Sequence, residues 1–232
     1  FVREGDTVID IGANLGTTVL SLSKKVGNGG KVIAFEPQNL ISQCLQAALT
    51  LNDRTNVSVY NMAVSDKSGW AYINDEKYSS IGRFGEAGIS DSGTRIKTTT
   101  LDDMVVEKCA LIKVDVEGHE LQVIEGGQHF LLEHRPVMYM EAKNNVGGTK
   151  QYMKWLVDNG WTCYWHFAFW FRQNNFNKVE KNIWGGTGDM NIVAVPDEKV
   201  QPSNLLKLTN PDEDWDEERY LDFYRQSGIS MV

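Results

Sequence analysis

The sequence predicts an α/β fold built on a doubly wound, mostly parallel sheet, and three observations carry that prediction. Short β-branched runs alternate with stretches of helical periodicity from Thr7 to Val195, the first run ends in a glycine turn, and the last two runs follow each other without a helix between them. Strands joined through helices are parallel, because a crossover is needed to return the chain to the same sheet edge, and a closing pair without a helix adds one antiparallel member. At 232 residues the chain is long enough to bury one sizeable core.

Thr7 to Ile11 is the first strand, stopped at Gly12, and Val19, Leu22 and Val26 then recur at helical spacing. Lys31 to Phe35 is the second strand, ended by Glu36-Pro37, and Leu40, Ile41, Cys44, Leu45, Ala48, Leu49 and Leu51 mark the second helix. Val57 to Val64 reads as one further strand and Gly69 to Ile73 as a short extra one. Periodicity vanishes from Asp75 to Thr100, where glycines and serines interleave, and a segment of that length reads as a functional lid or a disordered loop. Ala110 to Val116 is a buried strand, Glu120 to Glu133 a helix, Pro136 to Glu141 a strand, and Lys150 to Asn159 a helix with Gly160 as its C-cap. Trp161 to Phe171 and Met190 to Val195 are the closing strands.

Residues 1–200 form the expected domain, and 201–232, crowded with Asp212, Glu213, Asp214, Asp216, Glu217 and Glu218, read as a solvated acidic C-terminal helix or tail. The first strand begins almost at once, with no leading helix to cover the sheet, so a domain excised from a longer polypeptide, with neighbouring domains as partners, is expected. A net charge of −8 opposes a nucleic-acid surface, which needs a basic stripe. No apolar run approaches the ~20 residues that span a bilayer. Cys44, Cys109 and Cys163 are odd in number and lack C-x-x-C spacing, which indicates buried thiols in a reducing, cytoplasmic setting rather than disulfides or zinc.

In an open α/β sheet ligands bind beyond the carboxyl ends of the strands, where the first glycine turn admits them to backbone N–H groups. Gly12, Ala13 and Gly16 form that turn. A dinucleotide site would carry a second glycine where Asn14 stands, to make room for pyrophosphate, and Asp10 puts a carboxylate where phosphate charge would lie. Both features suit a cofactor without phosphates. S-adenosylmethionine is one, and Glu36 at the end of the second strand is placed to accept from both ribose hydroxyls. Asp66 is either an acceptor for the adenine amino group or part of a turn with Lys67, Ser68 and Gly69.

The segments Asp10-x-Gly-Ala-Asn-x-Gly16, Ala34-Phe35-Glu36-Pro37, Ala63-Val64-Ser65-Asp66, Leu101-Asp102-Asp103 and Ile112-Lys113-Val114-Asp115-Val116-Glu117-Gly118-His119-Glu120 together resemble the FkbM family of class I methyltransferases. The resemblance covers roughly residues 5–196. It implies a Rossmann-like seven-stranded sheet with an antiparallel last strand, and S-adenosylmethionine-dependent O-methylation, commonly of a sugar or polyketide hydroxyl. His119 departs from the commoner continuation after Gly118.

An alcohol is a weak nucleophile, so the site needs a group to take its proton. Asp115 and Glu117 alternate with Val114 and Val116, which predicts that both carboxylates share one sheet face and reach the cleft, with helix capping as the alternative for each. Asp115, His119 and Glu141 are the candidate bases. Asp115 with Glu141 is also a candidate pair of ligands for a divalent cation, although a metal-free mechanism is the simpler reading. Lys143 and Asn144 form a second polar cluster after Glu141, His166 within the aromatic run is either a further base or a hydrogen-bonded core histidine, and Ser79, Ser80 and Arg83 of the glycine-rich segment are either contacts to acceptor hydroxyls or solubilising loop residues. Seven of the eleven residues from Trp161 to Phe171 are aromatic, which suits a sugar face, a core or a dimer contact. The acceptor is expected to be a sugar or glycan. A non-sugar small molecule and a non-catalytic cofactor- or glycan-binding domain of the same fold stay open as rivals, and a nicotinamide oxidoreductase is disfavoured by the missing second glycine.

Overall fold

The computed structural model describes residues 1–74, 87–142, 148–175 and 177–227. Strands β1 (Thr7–Ile11), β2 (Lys31–Phe35) and β3 (Val57–Tyr60) pair in parallel, joined by helices α1 (Thr17–Val26) and α2 (Asn39–Leu51). Four of the five residues in β1 and in β2 are buried, as expected for strands covered on both faces. Val8, Val32 and Ala34 face α1 and α2, where Val19, Val26, Leu45 and Leu49 meet them. Ile9, Ile11, Ile33 and Phe35 face the larger core on the other side.

The sheet continues through β8 (Leu111–Val114) and β9 (Val137–Glu141), both parallel to β1, and closes with the antiparallel pair β10 (Trp161–Phe169) and β11 (Gly188–Pro196). β11 inserts between β9 and β10 and runs against both. That is the expected seven-stranded, mostly parallel sheet with an antiparallel last member. A two-residue strand, β12 (Leu206–Lys207), adds an eighth at the edge of β10, giving the order β12-β10-β11-β9-β8-β1-β2-β3.

Several expectations are corrected. Val57 to Val64 is not one strand: the chain leaves the large sheet after β3, where Asn61 donates to the Glu36 and Pro37 carbonyls, and β4 (Ala63–Val64) joins a second sheet. That four-stranded sheet, order β4-β7-β5-β6, includes β5 (Gly69–Ile73), β6 (Ile89–Ser90) and β7 (Thr94–Thr99), so part of the segment taken as a loop is strand. β7 buries only Ile96 among polar neighbours, which is why its alternation is faint in the sequence. Ser79, Ser80 and Arg83 lie outside the described residues, as do Lys143 and Asn144.

The helix expected over Glu120 to Glu133 is two, α3 (Glu120–Glu125) and α4 (Gln128–His134), with α5 (Thr149–Asp158) following β9. The break at Gly126-Gly127 is a close-packing site. A Cβ on Gly126 would lie 2.1 Å from the Ser65 carbonyl oxygen, and one on Gly127 would lie 2.6 Å from Leu101 Cδ1.

The acidic C-terminal segment carries a helix, one of the two expected forms, but it is packed on the domain and not merely solvated. It ends in α6 (Glu217–Ser227), whose Tyr220 and Tyr224 are buried and whose Phe223 packs on the main core with Trp215. Tyr220 accepts from the Phe167 backbone N–H at 3.1 Å, and Glu213 accepts from the Trp165 indole at 2.8 Å. The aromatic run of β10 therefore serves mainly as core, with Glu213 drawn in against it while Asp212, Asp214, Asp216, Glu217 and Glu218 stay exposed. No helix among the described residues is long and apolar enough to cross a membrane.

Candidate active site

The turn after β1 is built from glycines because backbone occupies the space that side chains would need. Gly12 has φ +81°, and a Cβ there would stand 1.7 Å from the Asp115 carbonyl oxygen. The Gly12 and Ala13 N–H groups both donate to the Phe35 carbonyl, at 3.0 and 2.9 Å, which ties the turn to the end of β2. Asn14 is itself left-handed, at φ +48°, and its N–H donates to Glu36 Oε2 at 3.0 Å. Glu36 Oε1 accepts from the Gln38 N–H at 2.8 Å. Burial pushes the Glu36 carboxyl up from the ordinary range, against the opposing pull of those two N–H groups. Each carboxylate oxygen keeps acceptor capacity beyond one N–H, so Glu36 can bind a diol while holding the turn.

These residues open on a narrow cleft of about 100 Å³. Gly12, Asn14, Glu36 and Gln38 supply polar lining; Phe35, Met62, Val64 and Ile89 supply apolar lining; and Asp115, Glu117 and His119 stand at the β8 end. Of the expected cofactor-binding residues, Gly12, Asn14 and Glu36 thus line the cleft. Asp10, Ala13 and Gly16 lie behind it: Ala13 is in the core under α1, and a Cβ on Gly16 would lie 2.3 Å from Leu45 Cδ1.

Asp10 is fully buried and faces Lys113 across the β1–β8 register. The Lys113 ammonium stands 3.5 Å from Asp10 Oδ1 and 3.1 Å from Asp115 Oδ2. Burial alone would lower the Lys113 pKa, but the two carboxylates outweigh it and hold the ammonium charged. Burial raises Asp10 despite that ammonium. Lys113 was not singled out by sequence reasoning, although a charged residue inside an apolar strand implies a charge partner close by.

Beyond Val114 the chain leaves the strand. Asp115 N–H still donates to the Ile11 carbonyl at 3.0 Å, but Glu117 and Gly118 turn left-handed, at φ +54° and +93°. Asp115 keeps to the Lys113 side, as strand alternation predicts, whereas Glu117 reaches the cleft through this turn. Glu120 Oε1 accepts from the Val116 and Gly118 N–H groups at 3.2 and 3.3 Å and so folds the turn. Glu141, at the end of β9, completes a trio in which carboxylate oxygens of Asp115, Glu117 and Glu141 lie within 4.8 Å of one another.

His119 Nε2 lies 2.9 Å from Ser65 Oγ, which lies 3.0 Å from Asp66 Oδ1. An ionised carboxylate only accepts, so the Ser65 proton points to Asp66 and the serine oxygen takes the Nε2–H, leaving Nδ1 as the accepting nitrogen of His119. Burial lowers the His119 pKa from 6.5, against the opposing Asp66 charge, so the ring is neutral at pH 7. Asp66 is not among the residues lining the cleft; it orients His119 through Ser65. His166 pairs with the Tyr139 hydroxyl at 3.0 Å on the sheet face beside Lys113.

A family model described as the methyltransferase FkbM domain matches residues 10–182. The chain is 34% identical over 129 residues to the hexuronic acid methyltransferase AglP of Haloferax volcanii. That stretch is 53% of this chain and 51% of the relative, so the chain spans about half the relative's length. The solved structure of methyltransferase FkbM from Methylobacillus flagellatus aligns with a TM-score of 0.56 at 15% identity, over 83% of this chain and 44% of that one. Precorrin 8W decarboxylase from Methanobacterium thermoautotrophicum aligns with a TM-score of 0.51 at 13% identity, over 84% and 83%. At these identities the structures show a shared fold, that of the class I methyltransferases.

Proposed function

The chain belongs to the FkbM methyltransferase domain family, and from that premise we propose that it methylates a hydroxyl of a sugar acceptor of the hexuronic acid class. Family membership implies S-adenosylmethionine as donor, and the cleft suits it: Glu36 on its wall keeps acceptor capacity for a diol, and its carboxylate, with the turn N–H groups already bonded within the chain, disfavours a phosphate-bearing rival. When bound, that group supplies an electrophilic methyl on a cationic sulfur.

The observation that carries the reading is the Asp10–Lys113–Asp115 chain beside the Glu117 and Glu141 carboxylates. Asp115 is the base: it takes the acceptor hydroxyl proton as oxygen attacks the methyl, and its Oδ2 is held in place by Lys113. Glu141 and His119 flank it and receive or orient acceptor hydroxyls. Three carboxylates at the reacting end suit an acceptor that must lose a proton, and repel one that attacks through its own carboxylate. The sugar class comes from the relative's hexuronic acid specificity, and the half-buried His166–Tyr139 pair adds neutral hydrogen-bonding groups beside the site. Asp115, Glu117 and Glu141 also offer the hard oxygen donors a divalent cation takes. The Lys113 ammonium already places positive charge at 3.1 Å from Asp115, which supports the metal-free form. Cys109 and Cys163 are buried thiols as expected and Cys44 is an exposed one, and all three being free supports a reducing, cytoplasmic setting.

Calorimetric titration with S-adenosylhomocysteine tests the cofactor assignment. Wild type is expected to bind, and Glu36→Ala to bind at least about tenfold more weakly, since hydrogen bonds to a charged group carry ~1.5–3 kcal/mol. A thermal melt of the variant accompanies the titration, because Glu36 also holds the Asn14 turn. No binding by wild type, or a folded Glu36→Ala that binds equally well, overturns the assignment.

A further inference from the structure

The small sheet carries a second surface that this chemistry does not use. β5 and β7 are antiparallel, with Trp70 opposite Lys97 and Tyr72 opposite Arg95. Side chains alternate across a strand, so Ala71, Ile73 and Ile96 turn in to the apolar cluster of that sheet while the other four turn outward. The result is a patch of two rings and two cations, with Trp70 56% and Tyr72 44% exposed. Arg95 Cζ lies 4.2 Å from the Trp70 ring centre and Lys97 Nζ 5.8 Å. No ion pair among the described residues involves either cation, in a chain with 31 acidic against 23 basic residues.

Trp70, Arg95 and Lys97 form one wall of a groove of about 530 Å³, and Pro37 to Leu40 with Asn61 form the other. Pro37, Gln38 and Ile73 border both this groove and the cofactor cleft, so the two open side by side.

We propose that the groove is an accessory saccharide site, holding an acidic segment of the glycan acceptor with carboxylates on Arg95 and Lys97 and a sugar C–H face on Trp70. It rests on the reading of the acceptor as a glycan. A guanidinium already laid against an indole loses little freedom when it meets a carboxylate, and the fork matches the two oxygens. Two cations are too few for a nucleic acid, which takes about 6–10 phosphate contacts, or for an anionic membrane, which takes clusters of about 4–8 basic residues.

The test is titration of the full chain with oligogalacturonate, followed by calorimetry and tryptophan fluorescence, with a neutral maltooligosaccharide as control. Wild type is expected to bind oligogalacturonate about tenfold or more tightly than the neutral chain. Trp70→Ala and the double variant Arg95→Gln/Lys97→Gln are each expected to lose about tenfold, with S-adenosylhomocysteine affinity unchanged. Absence of binding, equal binding of the neutral chain, undiminished binding in the variants, or tighter displacement by single-stranded RNA or anionic vesicles overturns the proposal. Methyl transfer to a saccharide with no groove binding sinks the groove alone, whereas groove binding with no transfer to any saccharide sinks the acceptor reading alone.

Discussion

Gly12→Ala is expected to unfold the cofactor turn and abolish S-adenosylhomocysteine binding. The added methyl would stand 1.7 Å from the Asp115 carbonyl oxygen and 2.8 Å from its carbon, at a φ of +81° that side chains rarely adopt. The obstacle is backbone that cannot rotate away: Asp115 N–H is bonded to the Ile11 carbonyl, and β1 and β8 are paired in register up to Ile11 and Val114. Overpacking costs ~1–3 kcal/mol and a left-handed residue ~1–2 kcal/mol, a large part of the ~5–15 kcal/mol that keeps a domain folded. A Tm lowered by roughly 5–15 °C, with no further rise on adding S-adenosylhomocysteine, is the expected result. A variant that melts and binds like wild type would show that the turn tolerates a side chain and that the geometry described for it is wrong.

Lys113→Met is expected to reduce turnover by about a hundredfold or more while leaving the cofactor affinity within a fewfold, because general-base catalysis is worth ~10²–10⁴ and needs a fixed base. The same change strands Asp10, fully buried, without its cation, so a loss of stability is expected too; one-sided removal of a buried pair costs ~3–5 kcal/mol. The two effects separate in the double variant Lys113→Met/Asp10→Asn. It is expected to recover much of the stability, since the buried charge is gone, but not the turnover, since nothing then orients Asp115. Recovery of turnover in the double variant would reduce Lys113 to a structural counter-ion. Asp115→Asn is expected to match the Lys113→Met loss in turnover with the fold intact. Excess EDTA is expected to leave wild-type turnover unchanged; loss in EDTA restored by a divalent ion would assign the positive charge to a metal on Asp115, Glu117 and Glu141.

The large sheet was legible in the sequence because its strands are short apolar runs separated by amphipathic helices, the pattern in which burial on both faces leaves its clearest trace. The small sheet was legible only in β5, which the sequence places at Gly69 to Ile73. Its β7, Thr-Arg-Ile-Lys-Thr-Thr, buries only Ile96 and presents Arg95 and Lys97 outward, so it reads as polar loop. The break between α3 and α4 escaped notice because Gly126 and Gly127 are set by distant partners, the Ser65 carbonyl and Leu101. At the site, Gly12, Asn14, Glu36, Asp115 and His119 could be placed on one cleft from strand ends alone. The link from Asp10 through Lys113 to Asp115 could not, because it depends on the lateral register of β1 and β8, which no local pattern encodes. Glu117 reached the cleft for a different reason from the one expected, a left-handed turn that Glu120 stabilises from below.

Methyl transfer to a sugar hydroxyl is tested most directly by transfer of labelled methyl from S-adenosylmethionine to uronic acid oligosaccharides, with the product then treated with mild alkali. A methyl ether survives that treatment and a methyl ester does not. The arrangement of Asp115, Glu117 and Glu141 predicts label that is transferred and alkali-stable, and lost in Asp115→Asn. No transfer to any saccharide, or label released by alkali, would contradict it.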